Sequence, residues 1–113
     1  MSEITNLLVR AKAKIDTPAT WAQGEWCRST TGKRGSRANA VAWCSVGVLH
    51  TLVDECSQIC HKAVAVLCAA TEHCGGHGNL LHFNDSRTHK EVMLMWDKAI
   101  ELSQGEVNVE QRL

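Results

Sequence analysis

The sequence is short of the features that usually declare a function. It contains a single proline, Pro18, so backbone hydrogen bonding is interrupted at one point and most of the chain is free to be helical. Its strongest apolar stretch, residues 63–70, falls well short of the roughly 20 residues a membrane helix needs. The opening Met1-Ser2-Glu3-Ile4 joins no basic region to an apolar run, so no secretory signal is expected. The chain is therefore read as cytoplasmic, with no membrane partner. Net charge is missing too: 12 basic residues balance 12 acidic ones. No global field draws such a chain to nucleic acid or anionic lipid. No P-loop and no dinucleotide fingerprint occurs, which argues against nucleotide-dependent catalysis. Internal repeats and low-complexity tracts are absent as well.

What is present fits one globular domain. The 113 residues are 44% hydrophobic, enough for one core. A single domain over 1–113 is expected, with 104–113 as a flexible tail. The six cysteines, in a reducing compartment, read as free and mostly buried thiols. A disulfide framework is the lesser alternative.

Periodicity divides the chain. Ile4, Leu7, Leu8, Ala11 and Ile15 fall at helical spacing, and Asp16-Thr17-Pro18 stops that helix. Residues 24–43 read as a β-hairpin around the turn Thr31-Gly32-Lys33-Arg34-Gly35-Ser36, with Trp26 and Trp43 free to meet across it. Ser45 is placed to cap a helix through Val46, Leu49 and Val53. Residues 57–73 are apolar over much of a helical circumference, which predicts the central helix, ended by Gly75-Gly76-His77-Gly78. Leu80, Leu81 and Phe83 read as an apolar plug and Asn84-Asp85-Ser86 as a turn. Thr88-His89-Lys90-Glu91 is a capping box. It opens a last helix carrying Val92, Met95, Trp96, Ala99 and Leu102 on one face and closing at Gly105. The fold class expected is mainly α: four helices with a docked β-hairpin.

Four groups of residues carry candidate chemistry. Arg28, Lys33, Arg34 and Arg37 surround the glycines of the hairpin turn, where they can grip an anion while Trp26 stacks on it. The plain alternative is a solvated loop, with Trp21 and Trp26 in the core. Asn84 and Asp85, ahead of a helix start, can act as ligands or simply bond their own backbone. His73, Cys74 and His77, with His82, have residue types and a glycine turn suited to zinc. Cys60 and His61 are further candidates, but the second close-spaced ligand pair of a structural zinc site is missing, and Cys56 with Cys60 is a weak substitute. Cys44 precedes a helix N-terminus, whose dipole lowers a thiol pKa. With His50 and Asn84-Asp85 it outlines a cysteine hydrolase.

The order of Trp21-Ala22-Gln23-Gly24, Cys44-Ser45-Val46-Gly47-Val48-Leu49, Phe83-Asn84-Asp85 and Thr88-His89-Lys90-Glu91-Val92 resembles a family of small bacterial and phage proteins with no assigned function. That pattern expects a tryptophan where Phe83 stands, and it lacks the extra cysteines and the glycine-rich loop seen here. The resemblance implies a fold and no activity.

The leading reading is a small non-enzymatic binding or accessory module without a cofactor. It would act on an unknown protein or anionic ligand through a surface that includes the hairpin and the Phe83-Asn84-Asp85 turn. A zinc-binding domain at His73, Cys74, His77 and His82 and a small cysteine hydrolase at Cys44 are the alternatives. The tryptophans and apolar helices also allow a homodimer.

Overall fold

The computed structural model describes residues 2–31, 35 and 39–112, with side chains as far as Gly105. Five helices and one two-stranded antiparallel sheet follow in the order α1 (Glu3–Lys14), β1 (Cys27–Ser29), β2 (Ala40–Trp43), α2 (Ser45–Leu52), α3 (Gln58–His73), α4 (Leu80–Ser86) and α5 (His89–Arg112). A short 3-10 turn, Pro18–Thr20, links α1 to the sheet.

α1 forms where its apolar spacing requires. Ser2 caps it by accepting the Thr5 N–H at 3.1 Å, and Leu7, Leu8, Ala11 and Ile15 are buried. α5 buries Val92, Met95, Trp96 and Ala99 against α1 and α3. Its capping box is formed: the Glu91 N–H donates to Thr88 Oγ1 at 3.2 Å, and the Thr88 N–H donates to Glu91 Oε1 at 3.2 Å. The helix does not close at Gly105 but runs on to Arg112. A Cβ at Gly105 would meet nothing within 4 Å, so that glycine makes no close contact that would break the helix.

In the middle of the chain one expectation is sharpened and one corrected. α3 is the central helix, packed against α1, α2, α4 and α5, but it is not enclosed: it buries one face, Cys60, Ala63, Leu67, Ala70 and Thr71, while Val64 and Cys68 stay half-covered and Ala65 is exposed. The rest of its apolar circumference borders a groove. The segment expected as plug and turn is a fifth helix, α4. Asn79 caps it by accepting the His82 N–H at 2.9 Å, and Leu80 and Phe83 turn inward together. Asn and Asp normally compete with their own backbone in such a segment. Here the Asn84 side chain is drawn into the core instead, which leaves the helical bonds intact.

The hairpin lies where expected but pairs differently. Cys27 faces Trp43, Arg28 faces Ala42 and Ser29 faces Ala40, so Val41 is an extra residue bulged out of β2. Trp26 lies outside the register and does not meet Trp43. On the other edge of β2, the Ala22 N–H donates to the Trp43 carbonyl at 2.9 Å. The sheet is thereby tied to the helices on which a two-stranded hairpin depends. No described helix is long and apolar enough to cross a membrane.

Candidate functional site

Two polar constellations stand out, one closed and one open. The closed one centres on Asn84, which has no exposed surface. Its Oδ1 accepts from Trp21 Nε1 at 2.9 Å, from the Ser45 N–H at 3.0 Å and from Ser45 Oγ at 2.8 Å. Its Nδ2 donates to the Ala22 carbonyl at 3.0 Å and to Asp85 Oδ1 at 3.0 Å. Trp96 Nε1 donates to Ser45 Oγ at 3.1 Å, which extends the network into α5. Outside it, Asp85 Oδ1 accepts the Gly24 N–H at 2.9 Å, and Gln23 Nε2 donates to the carbonyls of Asn84 and Arg87 at 3.1 and 2.7 Å. Those carbonyls belong to the end of α4, which would otherwise lack partners. Asn84 uses its full donor and acceptor capacity inside the protein. It is a clasp among four segments, and it offers nothing to a ligand.

The start of α2 shows the same economy. The N-cap is Cys44, not Ser45: its Sγ accepts the Gly47 N–H at 3.2 Å, which releases Ser45 to Asn84. Gly47 is needed because the Trp26 carbonyl, which accepts the Cys44 N–H at 3.0 Å, lies 2.0 Å from where a Cβ would stand. Burial pushes the Cys44 thiol above its ordinary pKa, and neighbouring Asp85 pushes the same way; the backbone donors of Gly47 and Val46 act against them. The helix-dipole effect expected from the sequence is thus outweighed by desolvation, and the thiol stays protonated at neutral pH. His50 is committed elsewhere: its ring lies 4.7 Å from that of Trp26, and its Nδ1 is 3.5 Å from Glu55 Oε2. An activated Cys44–His50 couple is not assembled.

The expected zinc ligands are scattered. His73, His77 and His82 are exposed and Cys74 is half-buried, and no group of three or more His, Cys, Asp or Glu side chains converges among the described residues. The glycine-rich loop instead ties α3 to α4. Gly75 and Gly78 take positive φ, and the Gly76 N–H donates to the Thr71 carbonyl at 2.7 Å. Gly76 itself lies against Phe83, 2.8 Å from where a Cβ would stand. Of the basic cluster, Arg28 is half-buried on β1, while Lys33, Arg34 and Arg37 lie outside the described residues.

The open constellation is a cleft of about 370 Å³ where the approach to β1 meets α2 and the turn after it. Its walls include Trp26, Gly47, His50, Thr51, Asp54 and Glu55. Trp26 is 44% exposed there, whereas Trp21 and Trp96 are buried and Trp43 is half-buried beneath the Lys14 ammonium. Asp54 and Glu55 form the turn that breaks α2 from α3, and Asp54 Oδ1 accepts the Cys56 N–H at 2.7 Å. Sequence reasoning named Trp26 and His50 in separate constellations and missed their contact. Thr51, Asp54 and Glu55 carried no signal in the sequence.

The motifs that carried the family resemblance lie on the closed constellation: Trp21 to Gly24, Cys44 to Leu49 and Phe83 to Asp85 meet at Asn84, and the Thr88 box starts the helix that delivers Trp96. No curated protein and no solved structure matches the chain significantly. A family model described as a family of unknown function (DUF6197) matches residues 1–102, and the chain belongs to that family.

Proposed function

We propose that this chain is a non-enzymatic binding module that engages a partner protein through the hairpin side of the molecule, at the Trp26 cleft. The observation that carries this reading is the indole of Trp26, nearly half exposed at a concave wall while Trp21 and Trp96 are buried and Trp43 is half-buried under Lys14. An indole left beside a cleft gains most from a partner that covers it, and tryptophan is the residue type most enriched where binding energy concentrates. The reading is also supported by the state of the buried thiols. Cys44 and Cys60 are both pushed up by burial, which suits packing rather than nucleophilic attack. Asn84 and Phe83 serve the interior, so the interaction surface is narrowed to the hairpin and α2.

The test is selection of a random-peptide display library against the full chain. Enriched peptides are expected to bind the native protein and a Leu94→Ala control equally; Leu94 is exposed on α5, outside the cleft-lining residues. They are expected to bind Trp26→Ala at least about tenfold more weakly. Failure to enrich any peptide, or equal binding to Trp26→Ala, would remove the cleft from consideration.

A further inference from the structure

The Trp26 cleft does not end at α2. A second depression of about 560 Å³ shares His50 and Glu55 with it and is floored by Val46, Cys60, Val64 and Ala65. A third, of about 360 Å³, shares Val46 and Val64 with the second and continues past Cys68 to Leu81. Together they make one groove along the seam of α2 and α3. Its two ends differ in chemistry. One holds an exposed indole and the carboxylates of Asp54 and Glu55. The middle and far end are floored mainly by aliphatic side chains and thiols, with His61, His77 and Asn79 also in the lining and Leu81 40% exposed. Among the described residues, no lysine or arginine lines any of the three depressions.

From this polarity, and resting on the binding-module reading above, we infer that the occupant is a segment of a partner protein headed by an arginine or lysine and followed by aliphatic residues. The cation lies against the Trp26 ring between Asp54 and Glu55. The aliphatic side chains fill the groove over Val46 and Val64. Each part has a physical reason. The face of an indole attracts a cation, and the attraction grows as water is excluded. A carboxylate pair beside it supplies charge-assisted hydrogen bonds, which favour arginine for its paired donors. Glu55 already lies 3.5 Å from His50 Nδ1 but remains 59% exposed, so its charge is accessible from the groove. The aliphatic stretch accounts for α3, whose apolar circumference is only half used by the core. An acidic segment would meet two carboxylates and, among the described lining residues, no lysine or arginine, so charge selects against it.

The experiment uses the peptides selected on the full chain. Those that depend on Trp26 are expected to share one basic residue followed by aliphatic ones. Each is then synthesised with arginine and with citrulline, its neutral near-isostere, and titrated against native protein, Asp54→Asn and Glu55→Gln. Both replacements keep a side-chain oxygen able to accept the existing bonds, and thermal melting confirms that each variant is folded. Citrulline is expected to bind about tenfold more weakly to native protein, and that difference is expected to shrink in Glu55→Gln, as coupled groups require. Glu55→Lys is expected to weaken the arginine peptide further.

Trp26-dependent peptides without a basic residue, or equal binding of arginine and citrulline, would overturn this inference and leave the module reading standing. Absence of any Trp26-dependent peptide would defeat the module reading itself. A Trp26-dependent dimer of the free chain in sedimentation velocity would assign the groove to a second copy and overturn the inference in that direction.

Discussion

Trp21 and Trp26 stand on either side of Gly24 in one irregular segment, yet they meet opposite fates. Trp21 is 9% exposed, its indole nitrogen spent on Asn84; Trp26 is 44% exposed, its ring tilted against His50. The turn between them explains the split. Gly24 takes φ +77° and its N–H is held by Asp85, so the chain changes direction there. One indole is sent into the clasp and the other out over the cleft. The contrast separates what holds the fold from what is left to act. The clasp satisfies its polar atoms internally. The cleft keeps an aromatic face and two carboxylates in reach of solvent.

The sharpest way to break this contrast is at Asn84. Asn84→Ala leaves Trp21 Nε1, the Ser45 N–H and the Ala22 carbonyl without their buried partner, each at about 1–3 kcal/mol. A loss of about 3–5 kcal/mol is expected in urea denaturation. A loss under about 1 kcal/mol would show that the clasp is not structural.

Gly47→Ala comes next. Its Cβ would meet the Trp26 carbonyl at 2.0 Å, and that oxygen belongs to packed backbone that cannot swing aside as a side chain could. The gain of about 1 kcal/mol in helix propensity does not offset a backbone shift, so a net loss of about 2 kcal/mol is expected by thermal melting. Trp26→Ala is expected to cost about 1–2 kcal/mol in the same measurement, less than Asn84→Ala, since nearly half of that residue is already in water. Equal costs for Trp26→Ala and Asn84→Ala would erase the distinction between clasp and cleft.

Thiol reactivity sharpens it from another side. Cys44 is buried and protonated at neutral pH, while Cys56 is exposed at the groove. Brief maleimide treatment followed by mass spectrometry is expected to find Cys44 modified on the order of a hundredfold more slowly than Cys56. Similar rates would reopen Cys44 as a reactive group.

The smallest effect concerns the cap of α5. Hydrogen bonds from the Thr88 N–H and hydroxyl, with Arg87 beside them, hold the Glu91 carboxyl below its usual range. The charged form is favoured by folding, so this contribution is present at neutral pH. It is lost as pH falls below the ordinary glutamate range through the lowered folded value. Glu91→Gln keeps the capping geometry and removes the charge. Its melting temperature is expected to fall less steeply with acid than that of the native protein, and identical slopes would refute the assignment.

Much of this architecture was legible from local pattern. The apolar faces of α1 and α5, the capping box, the hairpin and the glycine stop after α3 each depend on residues a few positions apart, where spacing and turn chemistry suffice. α4 was not legible, because Asn84-Asp85-Ser86 has the composition of a turn; only a partner far away in sequence, Ser45, draws the Asn84 side chain off its own backbone. The N-cap was misplaced by one residue for the same reason. Ser45 looked free to cap until Asn84 and Trp96 claimed its hydroxyl.

For this protein, then, the amino-acid order determined which stretches are helical or paired and which of their faces seek cover, because those preferences act over one or two turns. The tertiary structure alone decided which tryptophan stays in water, which cysteine is shielded and where two acidic residues come to line one cleft with an indole. Those outcomes depend on long-range hydrogen bonds and on desolvation, and neither can be read from the spacing of residues along the chain.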